Sequence, residues 1–200
     1  MYRVLRLSLS ALLSLSASAG TISEWLGGTM VCPCLYQDGQ MVVTPAGGPW
    51  DNITFCFGGP SGCYSLSPAN SNLAGRLYLL SQEYAGTPDD LAVAPSLIAI
   101  SEAGYQTAWI FDSSVVLQPN TAYYFYEDGG LDGAIGFPGK DPIAPFPGYL
   151  AEGLNSPFGN GPSNDYVLTG DPVPEPSPLT LLALGLPLLL LARRRRRRAS

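Results

Sequence analysis

The run Glu127-Asp-Gly-Gly-Leu-Asp132-Gly places three carboxylates, Glu127, Asp128 and Asp132, on a glycine-rich stretch. Carboxylates on so pliant a backbone can wrap a calcium ion, which takes about six to eight oxygen ligands. The spacing departs from the EF-hand loop, with its alternating acidic ligands and distal glutamate. A solvated acidic turn is the plainer use of the same residues, and no other cofactor is suggested. The adjacent pairs Asp89-Asp90 and Glu127-Asp128 raise glycoside hydrolysis, which needs two carboxyl groups flanking one bond. Neighbours in sequence do not by themselves flank a bond, and solvated loop charge accounts for them. The chain contains no histidine, so Ser-His-Asp, Cys-His and histidine-ligated metal chemistry lack their base or ligand. Gly58-Gly-Pro-Ser-Gly62 lacks the Lys-Ser/Thr of a phosphate loop and reads as a turn. No catalytic residues are assigned, and the expectation is a protein that is not an enzyme.

Four cysteines, Cys32, Cys34, Cys56 and Cys63, are the other reactive groups. In an exported chain they favour disulfides, with three possible pairings. A Cys32–Cys34 bond would close a cramped ring across Pro33, so cross-pairs to the Cys56–Cys63 hairpin are preferred, with the choice between the two left open. Zinc knuckles use C-x2-C spacing and redox dithiols C-x-x-C, and neither occurs here. Aromatic residues offer one more chemistry. Trp25, Trp50, Trp109, Tyr105, Tyr124 and Tyr126 could stack a sugar ring, although aromatics in strands more often serve the core.

Both chain ends carry processing signals. Arg3 and Arg6 precede a leucine-rich stretch, and Ala17-Ser18-Ala19 is an A-x-A cleavage site that leaves Gly20 as the new N-terminus. At the other end Val173-Pro174-Glu175-Pro176 leads into an apolar segment, 179–192, and then Arg193, Arg194, Arg195, Arg196, Arg197 and Arg198. As a helix the segment would be about 21 Å long, short of a hydrocarbon core of about 30 Å. The arginines would hold the cytoplasmic side and stop translocation. Pro187 argues against a permanent span, although a plain single-span tail anchor is the alternative.

This order of Pro-Glu-Pro, apolar helix and arginine cluster resembles the sorting signal of PEP-CTERM proteins. The resemblance implies export, processing by signal peptidase and by the membrane transpeptidase exosortase, and residence at the cell envelope or extracellular matrix. Transient or permanent inner-membrane anchoring would come through the tail. It also implies an association with exopolysaccharide, since exosortase systems accompany polysaccharide production.

With residues 1–19 and 173–200 set aside as processing segments, residues 20–172 hold fifteen acidic and two basic side chains, Arg76 and Lys140, for a net charge of −13. Such a surface repels nucleic acid and anionic membranes and attracts cations or basic partners. About 150 residues suffice for one domain with a core. Short apolar or alternating stretches predict strands at 29–35, 41–44, 52–57, 75–81, 97–101, 107–111, 115–117, 122–126, 148–151 and 165–168. Turn signals separate them at Asp38-Gly39, Gly47-Gly48-Pro49, Gly58-Gly59-Pro60, Thr87-Pro88-Asp89, Gln118-Pro119-Asn120 and Asp128-Gly129-Gly130. The expected pairing of 115–117 with 122–126 puts Tyr123 and Phe125 on one face and Tyr124 and Tyr126 on the other.

The block from Val115 through Leu117, Pro119, Thr121 and Tyr123 to Phe125, with the late stretches 148–152 and 165–168, resembles the choice-of-anchor jelly-roll domains of exported proteins. The resemblance spans about residues 66–172. The expected fold is all-β: a single antiparallel, jelly-roll-like β-sandwich over 20–172, between a signal peptide and a short C-terminal apolar helix. The leading function is a non-enzymatic surface or matrix protein. The alternative is a carbohydrate-binding module with an aromatic ligand site, or, less favoured, an extracellular glycoside hydrolase.

Overall fold

The computed structural model describes residues 20–26, 28–32, 37–59, 62–63, 75–102, 108–129, 135–138, 146–161 and 163–174, of which 28–32, 58–59, 62–63 and 135–138 are described by backbone alone. The strands are β1 (Gly20–Trp25), β2 (Gly28–Cys32), β3 (Gln37–Val43), β4 (Trp50–Gly59), β5 (Gly62–Cys63), β6 (Leu77–Leu80) and β7 (Leu97–Ile100). They continue with β8 (Trp109–Ile110), β9 (Ala122–Glu127), β10 (Ile135–Pro138), β11 (Gly148–Ala151), β12 (Gly159–Gly161) and β13 (Tyr166–Pro172). One 3-10 turn spans Pro88–Val93, with Pro88 in its first turn where the missing N–H costs nothing.

Two antiparallel sheets carry the fold. One has the order β12-β11-β3-β9-β6-β7. In the other, β13 lies between β1 and β4, while β8 and β5 pair along the opposite edge of β4. A separate ribbon of β2 and β10 lies against β4.

The sheets face each other because each supplies an apolar inner face. From the six-stranded sheet come Val42, Leu77, Leu79, Tyr123 and Phe125; from the other, Ile53, Phe55, Phe57, Tyr166 and Leu168. Phe55 and Phe125 stack across the gap with ring centroids 4.5 Å apart. Period-two alternation therefore divides β9 as expected, with Tyr123 and Phe125 inward. The reverse face of the six-stranded sheet is buried as well. Tyr78, Leu80, Tyr126 and Tyr149 pack there with Leu91 and Ala94, from the 3-10 turn and its end, and with Phe158. Coverage on both faces explains why β6 reads Leu-Tyr-Leu-Leu with no polar alternation.

Three expectations need correction. Asp38-Gly39, read as a turn, lies inside β3. Gly39 is there to admit an aromatic ring: a Cβ on it would stand 2.5 Å from Tyr126 Cδ1 and 3.0 Å from Tyr149 Cβ. Second, 115–117 is not a strand paired with 122–126. The chain crosses between sheets at this point, and Leu117 bridges Trp50 at the start of β4 instead. The turn itself forms, with Asn120 at φ 51° and the Gln118 N–H donating to the Tyr123 hydroxyl at 2.8 Å. Thr44 ties it down, its hydroxyl donating to the Gln118 carbonyl at 2.6 Å and accepting from the Thr121 N–H at 3.0 Å. Third, β1, β10 and β12 lie outside every stretch that reads as a strand. β12 is Gly-Asn-Gly, a strand only because β11 offers it backbone partners.

Candidate functional site

The end of the sandwich where β13 begins holds a buried polar group. The β3–β9 register, Gly39 opposite Tyr126, continues one step to set Asp38 beside Glu127. The Asp38 N–H donates to Glu127 Oε1 at 3.2 Å. Alternation from Val42 and Phe125 turns both carboxylates toward the gap between the sheets. Asp38 is 2% exposed and Glu127 0%.

Asn164, fully buried just before β13, closes the group from the other sheet. Its N–H donates to Gln40 Oε1 at 2.8 Å and its Nδ2 to the Gly39 carbonyl at 3.3 Å. Burial pushes the Asp38 carboxyl well above the usual carboxylate range, and the hydrogen bond from the Asn164 side chain opposes that only in part. Asp38 Oδ1 and Asn164 Oδ1 are buried with no hydrogen-bond partner among the described residues. Arg76 is the one basic side chain within those residues, and it is exposed.

The three carboxylates singled out in sequence are not brought together. Glu127 faces the interior, while Asp128 leaves the sheet on the turn that follows. Its Oδ1 accepts from the Arg76 N–H at 2.6 Å and its Oδ2 from the Tyr78 hydroxyl at 2.7 Å, so both oxygens are engaged in holding that turn. Asp132 lies outside the described residues. Sequence reading missed Asp38 and Asn164, which lie 89 and 37 residues from Glu127 along the chain. The start of β3, Gln37-Asp-Gly-Gln40, has no apolar side chain and reads as a turn, so nothing local marks Asp38 as buried. Among the described residues no group of three or more His, Cys, Asp or Glu side chains is arranged around a metal.

The aromatic candidates go mostly to the core. Trp50 and Trp109 are buried between the sheets, at 7% and 2% exposure, and Trp109 Nε1 donates to the Gly75 carbonyl at 3.0 Å. Tyr126 is fully buried on the reverse face, its hydroxyl accepting from the Tyr84 N–H at 3.1 Å. Tyr124 is half-buried beside Tyr149, Trp25 is half-buried on β1, and Tyr105 lies outside the described residues. A groove of about 410 Å³ at the β11–β12 edge is lined by Leu150, Glu152, Ser156, Pro157, Gly159 and Asn160, without an aromatic platform.

Cys56 is 2% exposed and disulfide-bonded. It sits on β4, whose Gly58 and Gly59 pair with Cys63 and Gly62 of β5, so the hairpin read from sequence forms. Cys32 stands opposite Ile135 on the ribbon that lies against β4. The side chains of Cys32 and Cys63, and all of Cys34, lie outside the description, so which one closes the bond does too.

Of the residues expected to take part in processing, Gly20, Val173 and Pro174 are described. Gly20 opposes Gly170 across β1 and β13, and the Val173 N–H donates to the Pro49 carbonyl at 2.8 Å. Ala17, Ala19, Glu175, Pro176 and Arg193 to Arg198 lie outside the described residues. Among those residues no helix is long and apolar enough to cross a membrane. Neither the protein-family models nor the curated proteins contain a match to this chain.

Proposed function

We propose that this is an exported, non-enzymatic protein of the cell envelope or extracellular matrix, released from its signal peptide at Gly20 and processed at Val173-Pro174-Glu175-Pro176 by an exosortase-type transpeptidase. In this reading the sandwich belongs to the jelly-roll-like choice-of-anchor type and works in association with exopolysaccharide. The supporting observation is the pairing of Gly20 with Gly170. Because β1 and β13 run antiparallel, the expected new N-terminus lies beside the end of β13, three residues ahead of Val173. Both membrane-directed segments would then leave one end of one sheet, and a chain held at a membrane by both could fold between them without threading. The turn from Leu117 through Pro119 and Thr121 to Tyr123, locked by Thr44 and the Tyr123 hydroxyl, supports the domain type.

The carbohydrate-module alternative depended on exposed aromatics, and Trp50, Trp109 and Tyr126 are committed to packing. The glycoside hydrolase alternative needs two carboxyl groups across an open cleft. Asp38 and Glu127 are adjacent but shut inside.

The test is intact-mass and peptide mapping, without reduction, of the protein recovered from cells that produce it naturally. A species beginning at Gly20 and ending near Pro174–Pro176 is expected. Added mass at the new C-terminus would identify the anchor. A species that keeps Arg193 to Arg198 would make the protein a plain tail-anchored one and remove the exosortase reading.

A further inference from the structure

We propose that removal of the signal peptide creates at Gly20 an α-ammonium group that the Asp171 carboxylate captures, so that cleavage itself fastens β1 to β13 beside the sorting motif. The inference rests on the processing proposed above.

Asp171 is the half-buried penultimate residue of β13. Its Oδ2 accepts from Asn52 Nδ2 at 2.9 Å, while its Oδ1 is buried with no hydrogen-bond partner among the described residues. Asp51 stands directly opposite it on β4, and facing residues of a strand pair share a side of the sheet, where like charges repel. A carboxylate oxygen shut from water without a partner is unfavourable, and a cationic donor relieves it best.

Gly20 supplies such a donor. Its partner across the sheet is Gly170, and the strands run antiparallel, so the Gly20 nitrogen lies on the side of Asp171. Facing Cα atoms are about 4.5–5.5 Å apart and the next residue is about 3.4 Å along the strand, within reach of an aspartate side chain. Nothing stands within 4 Å of the place a Cβ would take on Gly20, so the amino group has room to turn. Before cleavage that nitrogen is a neutral amide; afterwards it is an amine that is protonated at neutral pH. Among the described residues the charged side chains at this end of the sheet are Asp171 and Asp51, since Glu24 lies opposite Val167 toward the far end of β1.

The capture would explain why two acidic residues face each other across β4 and β13 just before the chain runs into Val173. It would also give signal-peptide removal a structural consequence. Among the described strands β1 pairs with β13 alone, at the edge of its sheet, and a charge-assisted bond at its first residue closes the end from which it would fray. An amine raised by the carboxylates contributes stability that is present below the unfolded value near 8 and is lost as pH climbs above it.

The experiment uses the mature protein recovered from the cells that produce it, with its first residue read by N-terminal sequencing. The whole sequence holds one lysine, Lys140, so methylating the amines with carbon-13 gives two NMR signals, one for Gly20 and one for Lys140. The Gly20 amine is expected to titrate about one unit above the ordinary range of about 7.7–8.0, and Asp171→Asn to return it to that range. Selective acetylation of that amine should lower the melting temperature of the parent protein and leave that of Asp171→Asn unchanged. Should Asp171→Asn not fold, the titration and the effect of acetylation in the parent protein decide. A chain that begins at Gly20 but whose amine titrates in the ordinary range, or keeps a raised titration in Asp171→Asn, would overturn the capture and leave the processing reading intact. A chain that begins elsewhere would overturn the processing reading and the capture with it.

Discussion

Gly39 lies beneath the ring of Tyr126: a Cβ placed on the glycine would stand 2.5 Å from Tyr126 Cδ1 and 2.6 Å from Cε1. The two residues are direct partners across β3 and β9, and the ring fills the space that a side chain would take. Tyr126 also packs on Tyr149 and Phe158, with centroids at 5.3 Å and 4.7 Å, so it has little room to withdraw. Gly39→Ala should therefore destabilise the domain by about 1–3 kcal/mol through overpacking. Gly159→Ala, where nothing lies within 4 Å, is the control and should be near neutral. Urea unfolding of both variants measures the difference; equal effects would mean that strand propensity alone is at work at Gly39.

The stacked pair Phe55 and Phe125 holds the sheets together from the inside. Phe125→Ala should cost about 3–5 kcal/mol, lost transfer energy plus the cavity it leaves. A double-mutant cycle with Phe55→Leu and Phe125→Leu should return a coupling of about 0.5–1.5 kcal/mol. Additive effects would show that the rings contribute area but no specific contact.

Tyrosine ionisation should be tied to unfolding at alkaline pH. Burial raises the hydroxyls of Tyr78 and Tyr149 to about 12 and lifts Tyr126 further; for Tyr78 the hydrogen bond to Asp128 adds to the shift. A hydroxyl raised in the folded state contributes stability that is fully present below the unfolded value near 10 and is lost as pH climbs from there toward 12. Ultraviolet absorbance at the phenolate band, followed beside circular dichroism, should show part of the tyrosine signal appearing only with loss of structure. Asp128→Asn should bring the Tyr78 titration down, because both its hydrogen bond to the phenol and its charge favour the neutral form.

Reduction should loosen the outer side of β4. Cys56→Ser, or reductant added to the parent protein, is expected to lower stability by about 2–4 kcal/mol through loss of the cross-link. Denaturant midpoints with and without reductant provide the check. Peptide mapping of the oxidised protein decides whether Cys32, Cys34 or Cys63 is the partner. A midpoint indifferent to reductant would mean that packing alone holds the segment bonded to Cys56 in place.

Much of the sheet framework was legible along the chain. The stretches 97–101, 122–126 and 148–151 declare themselves by β-rich runs between turn residues, and they fall within a residue of the observed Leu97–Ile100, Ala122–Glu127 and Gly148–Ala151. The alternation of Tyr123 and Phe125 against Tyr124 and Tyr126 is a local property of an extended backbone, so composition sufficed to sort the faces. What each face would meet was not local. Gly39 announces a turn when read with Asp38 alone, and only the arrival of Tyr126 from 87 residues away makes it a strand position. Gly159-Asn-Gly161 carries no side-chain signal and is a strand through its neighbour's hydrogen bonds.

The same division runs through the functional residues. Amino-acid order by itself determined the charge, the absence of histidine and the all-β character, and it carries the motifs behind the proposed cleavage and sorting, because each is written in contiguous residues or in composition. Tertiary structure decided that Glu127 turns inward to Asp38 and Asn164 while Asp128 turns away to Arg76 and Tyr78. It also decided that Trp50 and Trp109 are core and that Gly20 ends up beside Gly170. These are contacts between residues far apart in the chain. They exist only once burying two apolar faces against each other has brought the strands together.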